Sequence, residues 1–560
     1  MGFVPDELDG SSWIEIEPYM NDLRNRELSC SSCLETFIHD RSALSEIISE
    51  TRARLYINMT CHTNDEKIQE AWMNFVENVQ PKLSEYSDIL NKRIVQHPSI
   101  DELPERYGIL IKGLETDIEI FREENIPLQT RVTKLDTKYD EICGAQIIDF
   151  DGEKKTIPQM AIFLENTDRS VREAAWRAVA QRRFEDSEKL SEIFDEMIQI
   201  RHQIATNAGF DGFQQYMFAA MHRFDYTIED CLEFHNSIEV VCQPLRHKTD
   251  VERMQELQLK SLRPWDMGVD VKGRTPLKPF IGVQDLVDGC SRMFHSMSEE
   301  LGTLFDKLDA NDCLDLDSRP GKAPGGYQYY LQKSRMPFIF MNAAGTQRNV
   351  ETMIHEAGHA FHSFYSGHLD LIHERNSPIE FAEVASMSME LLTHPQWDEF
   401  YSKEDANRAR RNHLEDIIAF MPWCATIDAF QHWIYANPNH SREEREQKWL
   451  QLGERFGAKL DHNGLEDYRK LSWQRQGHLF GVPFYYVDYG IAQLGALQMW
   501  QYHRNDAAAA LTKYKSGLSL GYTMGLADLF KASDLSLSFS EEHVRNLIGE
   551  IENTLDKVPI

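Results

Sequence analysis

His355 and His359 stand four residues apart with Glu356 beside the first, in the run Asn349-Val350-Glu351-Thr352-Met353-Ile354-His355-Glu356-Ala357-Gly358-His359-Ala360-Phe361-His362. Residues at i and i+4 project from one face of a helix, so two imidazoles could grip one divalent ion while Glu356 reaches a water bound to it. The chemistry that follows is hydrolysis of a carbonyl bond, the ion polarising the carbonyl and the carboxylate taking a proton from water. A five-residue motif is a short signal in a chain with 21 histidines. A catalytic zinc also needs a third protein ligand, with one position left open for water.

The long metzincin pattern would place Gly at 362 and His at 365, whereas this chain has His362 and Tyr365, which points to a carboxylate instead. Glu374, Glu380, Glu383 and Glu390 all follow downstream. The last three lie on the apolar stretch Ile379–Leu392, which reads as a helix able to pack beside the first, and Glu383 and Glu390 share one of its faces. His362, His368 and His373 are near in sequence, but three helical imidazoles at i, i+4 and i+7 splay apart, so these are read as supporting or surface residues.

The elements that must hold these groups are mostly helices. The motif run has Asn349 as its expected cap and Gly367 near its end. Leu190, Ile193, Phe194, Met197 and Ile204 recur at helical steps until Asn207-Ala208-Gly209, and similar patterns cover 67–95, 286–306, 403–420 and 541–556. Two hairpins are expected: Gln146–Phe150 with Glu153–Ile157 around Asp151-Gly152, and Tyr327–Leu331 with Pro337–Met341. The edge of the strand Pro337–Asn342, just before the motif run, could pair with an extended peptide. The fold class is therefore mainly α. Prolines and glycines thicken from Leu262-Arg263-Pro264-Trp265-Asp266 to Pro279, which places a soft connection at about 260–285. The expected organisation is an N-terminal helical region 1–145, its helical continuation 146–265, and a catalytic region 286–560, intertwined rather than cleanly separated.

A length of 560 residues supports a large core, and 42% hydrophobic with 27% charged residues is an ordinary globular composition. The formal charge of −31 argues against nucleic acid and anionic membrane surfaces as partners. The acidic start Met1-Gly2-Phe3-Val4-Pro5-Asp6-Glu7 lacks a secretory pattern, and the expected location is cytoplasmic. Nine scattered cysteines fit reduced thiols, and Cys30 and Cys33, a Cys-x-x-Cys without a second pair, are read as structural or merely exposed.

From about residue 145 onward the chain resembles the M3 family of metallopeptidases, in its oligoendopeptidase F and Pz-peptidase branch. The matching stretches, in family order, are Arg201-His202-Gln203-Ile204-Ala205 with Gly209-Phe210, Gly326-Tyr327, Pro337-Phe338-Ile339, the His-Glu-Ala-Gly-His core, Phe381-Ala382-Glu383-Val384-Ala385-Ser386, and Gly477-His478 through Tyr489. The resemblance implies one Zn2+ held by His355, His359 and Glu383, with Co2+ or Mn2+ as possible substitutes. It makes Glu356 the general base and Glu390 a supporting carboxylate. It also implies that His478, Tyr486 and Tyr489 contact the substrate and its developing oxyanion, with Tyr485 as the alternative to Tyr486. The implied fold is a two-lobed helical ellipsoid enclosing a deep channel, with small β-hairpins near the site, which admits short unfolded oligopeptides and excludes folded proteins. Two rival readings follow from the residues: a non-catalytic helical scaffold that binds peptides, and a zinc carboxypeptidase or dipeptidase. No feature of the sequence indicates an oligomeric state.

Overall fold

The computed structural model describes residues 2–558, and helices dominate it. The elements form where apolar spacing and capping agree. The helix Ile228–Glu256, for instance, opens on a reciprocal cap in which Thr227 and Asp230 bond each other's backbone N–H. The helix Ser187–Asn207 buries Leu190, Ile193, Phe194, Met197 and Ile204 and ends before Gly209, whose φ of +88° a side chain would resist.

Several boundaries differ from the sequence pattern. The 67–95 segment is Glu66–Asn74 and Gln80–Val95 joined by a π-helical turn, Phe75–Val79. The 286–306 segment is two helices, Val283–Met297 and Glu299–Ala310, parted at the extended Ser298. That break folds the pair back on itself: Phe294 meets Phe305 at 5.1 Å between ring centroids, and Phe361 of the motif helix closes on Phe294 at 5.0 Å. The helix begun at Lys403 continues through Pro422 to Ala436.

Both expected hairpins are present. β1 (Ile147–Phe150) pairs antiparallel with β2 (Glu153–Thr156). A second sheet has the order β3-β5-β4, with β3 (Leu314–Asp317) parallel to β5 (Met336–Ala343) and β4 (Tyr327–Leu331) antiparallel to it. The four-residue β3 was not expected, and it overturns the edge role given to Pro337–Asn342. β5 is the central strand, and the open edge belongs to β4, which has no second strand partner among the described residues.

The connection expected near 260–285 is irregular from 257 to 282 except for a 3-10 turn, Pro264–Asp266. One buried core nevertheless runs from Leu135 to Leu555 and takes side chains from both sides of that connection. The N-terminal helices have a smaller core of their own, into which Leu371 inserts. Cys30 and Cys33 are paired in a disulfide at the start of the helix Ser31–Cys61, unlike the reduced state expected; the other seven cysteines are free. Among the described residues no helix is long and apolar enough to cross a membrane.

Candidate metal centre and its surroundings

The motif helix spans Gln347–Ser366. Its cap is Thr346, not Asn349: Asn349 is the third helical residue, and its Oδ1 accepts from the N–H groups of Ala344 and Thr346 and from the Thr346 hydroxyl. This closes the turn from β5 into the helix. The carboxylate helix Ile379–Leu392 packs directly across it. Gly358 makes the approach possible, since a Cβ there would stand 2.5 Å from Ser386 Cα and 2.8 Å from the Ala385 carbonyl oxygen. The glycine between the two motif histidines thus sets the distance to Glu383.

His355 Nε2 lies 3.2 Å and His359 Nε2 3.4 Å from Glu383 Oε2, and the three ligand atoms all fall within 4.8 Å of one another. The imidazoles are half-buried and Glu383 is buried. Burial opposes charge on Glu383, yet the His359 and His355 rings hold its carboxyl well below the usual range. Burial likewise opposes charge on His355, but Glu383 and Glu390 keep its imidazolium well above the ordinary value. Glu356, one residue on, is buried with Oε2 unpartnered, and burial, offset in part by the two imidazoles, raises its pKa. Two imidazoles and a carboxylate converging beside an orphaned carboxylate oxygen suit a divalent ion with an open position better than they suit a closed hydrogen-bond network.

A second layer orients the first. Glu390 Oε1 accepts from His355 Nδ1 at 2.6 Å, which turns Nε2 toward the point shared with His359 and Glu383; Glu390 Oε2 meets His413 Nε2 at 2.9 Å, and His413 Nδ1 meets His394 Nε2 at 2.8 Å. Glu383 Oε1 accepts from the Tyr485 hydroxyl at 2.7 Å, and Ser386 Oγ donates to Glu383 Oε2 at 3.0 Å. The other candidates lie elsewhere. Glu380 accepts from Tyr226 in a buried network with Arg223 and Asp488, and Glu374 accepts from the Leu371 N–H. His362 is a core histidine beside Phe381, its pKa pushed down to about 3 by burial; His373 packs on Tyr522, and His368 is exposed.

The third wall is the segment 476–485, with a helical turn at His478–Gly481, and the tyrosine helix Tyr486–Asn505. Gln476 Nε2 lies 2.7 Å from His478 Nδ1 and the Tyr489 oxygen 3.3 Å from His478 Nε2; with the amide donating to Nδ1, His478 carries its proton on Nε2 and donates it to Tyr489. Burial pushes the His478 pKa down to about 4, so the ring is neutral near pH 7. Tyr489 O–H is left free to donate to a ligand. Of the adjacent tyrosines, Tyr485 reaches Glu383, whereas the Tyr486 hydroxyl accepts from Trp423 Nε1 at 3.1 Å. Tyr486, the expected residue, thus sets its ring against His478 while its hydroxyl is engaged by Trp423, and Tyr485, the alternative, is the one bonded to Glu383. Phe484, a non-glycine residue at φ +67°, aims Tyr485; its N–H donates to Gln431 and its carbonyl accepts from Arg223. Arg201, buried at 2% exposure, donates to the Leu479 and Phe480 carbonyls and to Tyr435, clamping the loop after His478. Arg201 stands in one of the stretches that carry the family resemblance, but its role in holding this segment is visible only in the fold.

On the fourth side, Gly326 opens β4 against Glu356: a Cβ there would lie 3.5 Å from Glu356 Oε1 and 3.3 Å from Thr352 Cγ2. The start of β4 thus lies beside the candidate base.

Comparison with known proteins agrees with this layout. The model of peptidase family M3 matches residues 162–547, and that of the peptidase M3 N-terminal domain matches 12–121. The chain is 21% identical over 433 residues to oligopeptidase PepF of Bacillus subtilis, covering 75% of this chain and 62% of that protein. It is 22% identical over 479 residues to an oligoendopeptidase F homolog of Borreliella burgdorferi, covering 82% and 78%. A solved structure of Pz peptidase A with an inhibitor superposes at a TM-score of 0.95, with 28% identity over 99% of each chain.

Proposed function

The chain belongs to peptidase family M3, and we propose that it is a zinc-dependent endopeptidase that hydrolyses internal bonds of short unfolded oligopeptides. The observation that carries the reading is the convergence of His355, His359 and Glu383 on one point beside the unpartnered Oε2 of Glu356. A divalent ion held there, Zn2+ with Co2+ or Mn2+ as substitutes, would polarise the scissile carbonyl and acidify a water molecule.

Glu356 takes the proton from the attacking water and returns it to the leaving amine. Its raised pKa brings it nearer the range in which one group can do both. Negative charge develops on the carbonyl oxygen, and the free Tyr489 O–H, with His478 behind it, meets that charge. Tyr485 acts through Glu383 as a positioning residue. The open edge of β4 offers main-chain groups to an extended peptide, which accounts for binding without strict sequence demands. A channel that admits short peptides and excludes folded proteins completes the proposal.

The test is an internally quenched peptide of about ten residues, blocked at both ends, given to the wild type and to Glu356→Gln with bound metal quantified in the same samples. Internal cleavage by the wild type, and a variant that keeps its metal while losing at least about 100-fold in kcat, is the expected result. No stoichiometric metal and no cleavage would leave a peptide-binding scaffold. Cleavage only of unblocked peptides would make the enzyme a carboxypeptidase or dipeptidase.

A further inference from the structure

A cavity of about 410 Å³ lies between the helix Asn125–Gly144, the β1–β2 hairpin, the helix Arg169–Glu185 and the segment 471–475. That volume suits a small ligand or one or two amino-acid side chains. Its walls are largely apolar, with Trp176, Leu190 and Leu471 among them. Its charged lining is of one sign. Arg183, Arg319, Lys322 and Arg475 face it, and no aspartate or glutamate does, although the chain has 90 acidic residues.

Two of these cations are already satisfied. Arg319 and Lys322 both bind Asp315, at 2.6 and 2.7 Å. Arg183 and Arg475 are different: among the described residues neither guanidinium makes an ion pair or donates a hydrogen bond to any protein acceptor, a state shared only by Arg52. Asp186, three residues from Arg183, is occupied by Arg182, Lys189 and Gln146. Arg475 lies over the Trp423 ring at 5.0 Å, which supplies no countercharge. Arg183 is half-buried and Arg475 exposed, and two guanidinium groups that face one cavity without a protein counter-ion offer paired donors to an anion.

Two lines of contact join the cavity to the candidate active site. Trp423, beneath Arg475, donates to the Tyr486 hydroxyl, and the Tyr486 ring abuts His478 at 5.1 Å. On the other wall Asn342 donates to the Ala323 and Gly325 carbonyls and so holds the turn whose next residue, Gly326, touches Glu356. The residues just before β4 thus share Asn342 with the cavity wall.

We propose that the cavity is a substrate subsite in which Arg183 and Arg475 bind a carboxylate of the peptide, either its C-terminal carboxylate or an aspartate or glutamate side chain. The proposal rests on the peptidase reading and names the substrate class within it. A carboxylate matches the guanidinium fork, and the apolar walls take the residue that bears it. Because this contact is remote from the scissile bond and present before and during reaction, its effect falls on KM rather than kcat.

The experiment compares three sets of quenched peptides: a neutral core blocked at both ends, the same core with one glutamate moved along it, and the same core with a free C-terminus. Wild type should cut the neutral peptide, and one carboxylate-bearing set should show a KM lower by about tenfold. A glutamate at one fixed distance identifies a side-chain source, and the free terminus identifies the other. In the Arg183→Gln/Arg475→Gln double variant that advantage should vanish. Cleavage of the neutral peptide with no gain from any carboxylate would overturn the subsite while leaving the peptidase standing. Cleavage of nothing would overturn both. Should the double variant not fold, wild-type inhibition by a short peptide acid against its amide decides the matter, equal inhibition constants overturning the proposal.

Discussion

Each ligand at the candidate centre is held by a group that the five-residue motif does not contain. Glu390 fixes the tautomer of His355 through the 2.6 Å bond to Nδ1, and His413 and His394 extend that line into the core. Replacing Glu390 by Gln keeps the shape but offers His355 a neutral partner. Metal affinity should fall by about 10 to 100-fold, read by competition with a chelator, while the far-ultraviolet circular dichroism stays unchanged; unaltered affinity would reduce Glu390 to a packing residue. At this scale the sequence was most legible where spacing alone decides direction. His355, Glu356 and His359 follow from a helical period, and Glu383 and Glu390 were visible as one face of a second helix. It was least legible at the tyrosines. Tyr485 and Tyr486 are neighbours of one type, and which of them reaches Glu383 depends on the positive φ of Phe484, held by Gln431 and Arg223 from distant parts of the chain.

Three elements meet at the site: the motif helix, the carboxylate helix and the tyrosine helix, with the carboxylate helix in the middle. Their spacing is set by glycines. Gly358 admits the backbone of Ala385 and Ser386, and Gly495 of the tyrosine helix admits Val384, whose Cγ2 would lie 2.7 Å from a Cβ there. In Gly358→Ala the new methyl meets backbone on the opposite helix, so a side-chain rotation cannot relieve it and the helices must part. We expect a loss of about 2 to 4 kcal/mol in chemical denaturation, together with loss of stoichiometric metal, because Glu383 moves with its helix. Retained metal and a small stability change would show that the approach of the two helices does not position the ligand. The helical pattern predicted these elements well, including Ile379–Leu392 to the residue. It missed β3, whose four residues Leu-Asp-Leu-Asp are too short to signal a strand, and with it the fact that β5 is flanked on both sides. It also missed the break at Ser298, which apolar spacing alone does not mark.

Across the molecule, the N-terminal region keeps its own core yet braces the catalytic part through one helix, Ser31–Cys61. Thr60 and the β4 residue Tyr327 share a 2.6 Å hydrogen bond, and Tyr56 packs on Tyr327 and Tyr329. Glu46 accepts from Arg375, whose side chain is fully buried, and from Arg335; Glu50 accepts from the Ser334 N–H and hydroxyl in the β4–β5 turn. The strand whose start lies beside Glu356 is thus supported by residues far away in sequence. Burial opposes ionisation of Glu50, but the Ser334 and Arg54 hydrogen bonds hold its pKa below the usual 4.5. A depressed carboxylate pKa contributes stability that is present above 4.5 and is lost as pH falls through the folded value. The brace should therefore loosen on acidification below about pH 4.5. At neutral pH the Glu46→Ala/Glu50→Ala variant should do the same, leaving Arg375 buried without its carboxylate at a cost of about 3 kcal/mol. Since neither residue touches a metal ligand, bound metal should stay stoichiometric while amide hydrogen exchange accelerates across 327–343 and KM for blocked peptides rises. Faster exchange with unchanged KM would show that the N-terminal region stabilises the strand without shaping the peptide site. Loss of metal would show that the brace reaches through β4 to the motif helix itself.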